Sequence, residues 1–104
     1  MMNQYDTLAQ ATKALRDRGY ASEFHFTKEG LVNKDNDRKY DEHNLEIVEY
    51  HRFEGVSNPS DMSVIYALES EDGSKGVIIS PYGPYADPAL MEFLDKLTIR
   101  PLQE

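Results

Sequence analysis

At 104 residues, 39% hydrophobic and 29% charged, the chain has the composition of one folded domain (residues 1–104) with one core, and it is too short to set a cofactor domain beside a substrate domain. It has no cysteine, which excludes disulfides, thiolate catalysis and thiolate metal sites and agrees with a reducing, cytoplasmic setting. The net charge of −8 divides into −2 over residues 1–52 and −6 over residues 53–104, an acidity that opposes binding to nucleic-acid phosphates.

The N-terminus lacks a basic patch followed by an apolar core, and no apolar run approaches the roughly 18 residues of a membrane span. A helix is expected from about Thr7 to Arg18. Thr7, or Asp6 one step earlier, serves as its cap, with Gln10 as capping-box partner. Leu8, Ala11 and Leu15 recur on one face, and Gly19 supplies a left-handed stop that lets Tyr20 fold back over the last turn. Phe24 and Phe26 alternate with His25, the pattern of a short strand with both rings toward the core. From Lys28 to Asn44 the pattern dissolves into glycine, asparagines and mixed charge around Leu31, Val32 and Tyr40. This stretch reads as a long loop or a poorly ordered excursion, with a short strand or helical turn expected within it that the sequence does not place.

Leu45–Phe53 is the next strand. Its alternation breaks near Glu49, so either a bulge resets it or the strand is apolar on both faces at one end. Ser57-Asn58-Pro59-Ser60-Asp61 is a turn cluster. Ser63 to Pro88 then forms the hydrophobic spine, with apolar runs Val64–Leu68 and Val77–Ile79 bracketing Asp72-Gly73. A three-residue loop, Glu71-Asp72-Gly73, with Gly73 in the left-handed position joins the two runs. Both faces of this hairpin are apolar, which places it in the middle of a sheet. Asp87-Pro88 is a cap followed by proline at N1, and Leu90, Phe93, Leu94 and Leu97 give a second helix its apolar stripe.

The expected architecture is α+β in the order α-β-β-β-β-α, a two-layer domain with an antiparallel sheet of about four strands and both helices on one face. The other face, carrying Ile65, Ala67 and Ile78, would be too apolar for solvent. That suggests a homodimer, or covering by residues 28–44.

No stretch amounts to a specific chemical motif. His51 and Glu49 share a strand face at spacing two, so the carboxylate could orient the imidazole as an acid or base, with Arg52 beside them to clamp an anion and Asp61 close in sequence. Cross-strand ion pairing accounts for the same residues without catalysis. Tyr66, Tyr82 and Tyr85, with Tyr50, could rim a ligand pocket around the Gly83-Pro84 turn, or simply cover a sheet edge. Asp35, Asp37, Asp41, His43 and Glu46 fall at positions 1, 3, 7, 9 and 12 of a calcium-loop frame, but Lys39 at position 5 and Tyr40 at the glycine position break it. No metal site and no cofactor are expected.

His51-Arg52-Phe53-Glu54-Gly55, the turn Ser57–Asp61, Val64–Leu68, Lys75-Gly76-Val77 and Tyr82-Gly83-Pro84-Tyr85, with Tyr5–Leu8 and Arg18-Gly19-Tyr20, together resemble a family of small bacterial proteins of about this length. The family has no established activity, although some members are labelled phosphoribosylpyrophosphate synthetases. That label implies sugar-phosphate and magnesium chemistry. The sequence departs from it: Val77–Ile79 runs into Ser80-Pro81-Tyr82-Gly83, with no adjacent acidic pair and no Thr-Gly-Gly turn. No catalytic role carries over.

The leading expectation is a binding or regulatory domain without catalysis. The rival is a small enzyme acting on a polar or anionic metabolite through His51, Glu49 and Arg52, and a further alternative is an acidic partner for a basic protein.

Overall fold

The computed structural model describes residues 7–53, 62–81 and 86–99. Helix α1 (Leu8–Asp17) starts where expected, with the Thr7 Oγ1 accepting from the Gln10 N–H at 3.1 Å. It stops at Gly19 (φ +108°), and the Tyr20 N–H folds back onto the Leu15 carbonyl at 3.0 Å. Ala11 and Leu15 form its fully buried face. Helix α2 (Pro88–Asp95) is capped by the Asp87 carboxylate, which accepts from the Ala89 and Leu90 N–H groups. Leu90 and Leu94 are buried on its inner side, and Leu97, just past its end, is buried with them.

Seven strands lie between and beyond the helices: β1 (Ser22–Thr27), β2 (Gly30–Asn33), β3 (Lys39–Tyr40), β4 (Leu45–Phe53), β5 (Ser63–Ser70), β6 (Lys75–Pro81) and β7 (Thr98–Ile99). They form one mixed, strongly curled sheet in the order β3-β2-β1-β6-β5-β4-β7. The pairs β1–β6 and β4–β7 are parallel, and the rest are antiparallel. This corrects the expectation of about four antiparallel strands. Strands of two to four residues are too short for a period of two to show, and parallel pairing between distant segments leaves no local turn signal.

The segment 28–44 is a large part of that difference. Thr27 pairs with Gly30, so β2 turns straight back along β1, and a tight turn then returns β3 onto β2. In that turn the Asp37 N–H donates to the Asn33 carbonyl, with Asp37 itself left-handed at φ +59°. Gly30 has φ +123°, and a Cβ there would overlap the Tyr40 carbonyl oxygen. Only glycine meets both demands.

The β5–β6 hairpin matches its expectation. The Ser70 N–H bonds the Ser74 carbonyl at 2.9 Å, which closes a three-residue loop with Gly73 at φ +89°. The hairpin also occupies the middle of the sheet. Alternate residues on β5 face opposite sides. Ile65 and Ala67 join Ala11, Leu15, Tyr20, Phe53 and Val77 in a core under α1. Leu68 and Ile78 join Phe24, Leu31, Tyr40, Leu45, Ile47 and the α2 leucines in a second core. The helices therefore cover opposite faces of the sheet, where one shared face was expected. The apolar face carrying Ile65 and Ala67 is covered by α1 of the same chain, and Ile78 belongs to the other side.

The sheet curls around α2. On a flat sheet β3 would stand three strand spacings, about 14 Å, from β6. Yet the Tyr40 hydroxyl donates to Asp72 Oδ2 in the β5–β6 turn at 2.8 Å. Arg38 reaches the same oxygen at 2.5 Å, and the Ser70 hydroxyl and the Ser74 N–H hold the other oxygen. Hydrogen bonds from Ser70, Ser74 and Tyr40 keep the Asp72 carboxyl well below the usual carboxylate range. No helix among the described residues is long and apolar enough to cross a membrane.

Candidate functional site

The β4 strand divides the residues that the sequence grouped. Its register against β5 slips between Ile47 and Glu49, so Val48 is the extra residue of a bulge. Beyond the bulge Glu49 lies opposite Ala67 and His51 opposite Ile65, on the α1 side, whereas Tyr50 lies opposite Tyr66 and Arg52 opposite Val64, on the α2 side. Glu49 and His51 do meet, at 2.7 Å between Oε2 and Nε2. Arg52 points away from them.

The cation that joins Glu49 is Arg18, from the end of α1. Its two terminal nitrogens donate to the two carboxylate oxygens at 3.0 and 2.5 Å, a paired geometry that suits guanidinium and carboxylate. Burial works to raise the Glu49 carboxyl, but the hydrogen bonds and charge of Arg18 and His51 outweigh it, and the carboxyl sits below its ordinary value. An ionised carboxylate only accepts, so the His51 Nε2 carries the hydrogen of their bond. His51 is 3% exposed. The group therefore ties α1 to the sheet and leaves the imidazole almost no surface for a substrate.

Tyr66 is half-buried against Tyr50, with ring centroids 6.0 Å apart. Burial, then the Asp95 carboxylate and Tyr50, push its phenol above the ordinary value. It stands on the opposite face from His51. Asp61, Tyr82 and Tyr85 lie outside the described residues. Asp35 and Asp37 sit in the β2–β3 turn, Asp41 and His43 lie between β3 and β4, and Glu46 belongs to β4. Among the described residues no three acidic or histidine side chains converge on a point that could hold a metal ion.

A different region has the shape of a binding site. Strands β1 and β6 run parallel but are bridged only at Ser22–Gly76 and Glu23–Val77. The approach is close there, since a Cβ on Gly76 would overlap the Ser22 carbonyl and lie 2.8 Å from the Phe24 ring. Beyond Glu23 and Val77 the strands part, and a cleft of about 480 Å³ opens between them. That volume lies within the range of small-ligand pockets. Phe24, Phe26, Ile78 and Leu90 line its inner side, and Thr12 and Arg16 of α1 with His25, Glu23 and Asp35 line its mouth. A shallower hollow along α1 shares Thr12, Arg16 and Ile79 with it, and Ile79 is 42% exposed.

Sequence reasoning placed Asp35 only in the broken calcium-loop frame and did not group these residues as one site, because they come from segments far apart in the chain. The one local signal is Gly76, a glycine inside an otherwise β-branched strand, which marks a close backbone approach. Compared with known proteins, the chain matches no family model, no curated protein and no solved structure.

Proposed function

We propose that the chain is a small binding domain whose ligand site is the cleft where β1 and β6 part. The observation that carries this reading is the loss of strand pairing after Glu23–Val77, which opens a cavity with an apolar inner wall and a polar mouth. This is the combination that orients a small amphipathic molecule. Catalysis through His51 is the weaker reading, because the imidazole is buried between α1 and the sheet and Arg52 faces the other side.

The test is an amide chemical-shift screen against a library of small amphipathic fragments. Hits should move the signals of Glu23–Phe26, Val77–Ile79 and Thr12. A library that leaves these signals unmoved, or whose hits cluster at Tyr50 and Tyr66, overturns the assignment.

A further inference from the structure

The cleft carries one guanidinium and one carboxylate that the fold does not use. Arg16 on α1 and Asp35 just after β2 both line it. Among the described residues neither takes part in an ion pair, with each other or with any third group. The other acidic group at the mouth, Glu23, lies 3.6 Å from Lys34, and the nearby Arg18 is engaged by Glu49. Arg16 and Asp35 come from opposite sides, since α1 packs over β5 and β6 while Asp35 follows β2, on the far side of β1. Phe24 and Ile78 line the same cleft with their apolar side chains.

We propose that the cleft takes a small zwitterion with an apolar body, its carboxylate on Arg16 and its ammonium on Asp35. A free apolar α-amino acid and a short apolar peptide with both termini free share this chemistry. The proposal rests on the reading of the cleft as a ligand site and names what that site selects. A zwitterion is favoured over an anion, a cation and an uncharged molecule in turn. A net charge of −8 disfavours the approach of an anion through the field of the whole chain. A cation could satisfy Asp35 but would be repelled by Arg16. An uncharged apolar molecule would fill the inner wall yet leave both charged groups without a partner, partly stripped of water at the mouth of an occupied cleft. A guanidinium also matches the planar fork of a carboxylate, which gives one end of the ligand a defined orientation.

The experiment titrates the full chain with leucine, phenylalanine and the dipeptide Leu-Phe, following amide shifts and calorimetric heats. Each ligand is compared with its N-acetyl and C-amide derivatives. The zwitterions should move the cleft signals, and removing either charge should weaken binding by about tenfold or more, the usual worth of a charge-assisted hydrogen bond. R16Q should weaken the parent ligand but not its C-amide, and D35N should weaken the parent but not its N-acetyl form. Both side chains are exposed, so unchanged melting of the two variants verifies that folding is intact. The tighter of the amino acid and the dipeptide names the source. Equal binding of capped and uncapped ligands, or insensitivity to both substitutions, overturns the proposal. If uncharged apolar fragments move the cleft signals and zwitterions do not, the zwitterion assignment fails and the binding site stands. If neither class moves them, both fail.

Discussion

Gly76→Ala tests the contact on which the cleft depends, and its sign decides the question. In an ordinary strand alanine is favoured over glycine by about 0.5–1 kcal/mol, because glycine loses more backbone freedom on folding. Gly76 lacks the positive φ that would make alanine strained, so in a strand with open space beside it the substitution should stabilise. Here a Cβ would overlap the Ser22 carbonyl oxygen and come within 2.8 Å of the Phe24 ring. The first neighbour is backbone and the second ring is 3% exposed, so neither can swing away. Overpacking of this kind costs about 1–3 kcal/mol. Set against the propensity gain, the net loss is at most about 2.5 kcal/mol, and an overlap with unyielding backbone puts Gly76→Ala in the upper half of that range. For a domain of this size that lowers Tm by roughly 4–8 °C per kcal/mol. Urea denaturation gives the free energy, and amide exchange at Glu23 and Phe24 shows whether β1 has been pushed from β6. A variant as stable as the parent, or more so, would refute the parallel β1–β6 contact and the cleft beyond it.

Glu49→Gln should cost about 1–2 kcal/mol at neutral pH, the worth of a charged hydrogen-bond pair reduced for the solvent around Arg18, which is 46% exposed. Because the folded carboxyl lies below its ordinary value, the folded state binds fewer protons; the contribution is complete above the unfolded value of about 4.3 and is lost as pH falls through the folded one. Denaturation curves of parent and variant should converge on acidification, and a gap that stays constant from neutral pH down to about pH 3 would refute the ionised pair. Asp72→Asn should release amide protection in β2, β3 and the turn at residues 71–74 while β4 and β5 keep theirs, read by hydrogen exchange; unchanged protection in β2 and β3 would show that Asp72 does not hold the curl.

The elements governed by neighbours in sequence were legible. Thr7 and Gly19 bound α1, Asp87-Pro88 opens α2, and Glu71-Asp72-Gly73 closes its hairpin as the φ preference of Gly73 requires. The two apolar faces of Val64–Leu68 and Val77–Ile79 also placed that hairpin centrally. What escaped was set by distance along the chain. Leu31, Val32 and Tyr40 are buried, but they sit in strands of four and two residues separated by charged turns, where alternation has no room to repeat. The sides taken by α1 and α2 were equally hidden. A hairpin apolar on both faces requires two covers, and its sequence does not say that the chain's own helices supply them.

The bulge at Val48 shows why the candidate site was harder to read than the fold. By simple alternation Ile47, Glu49 and His51 would share a face, and the charged pair would point into the core that holds Ile47 and Leu68. The extra residue reverses the parity, so Ile47 stays under α2 while Glu49 and His51 turn toward α1. Only there can Arg18, 31 residues earlier, reach the carboxylate. The same reversal sends Arg52 to the other side. A grouping by adjacency therefore joined residues that the pleat separates, and it omitted the one cation that the bulge brings in. The imidazole and carboxylate thus hold α1 to the sheet, while Arg16 and Asp35 at the cleft join no ion pair among the described residues.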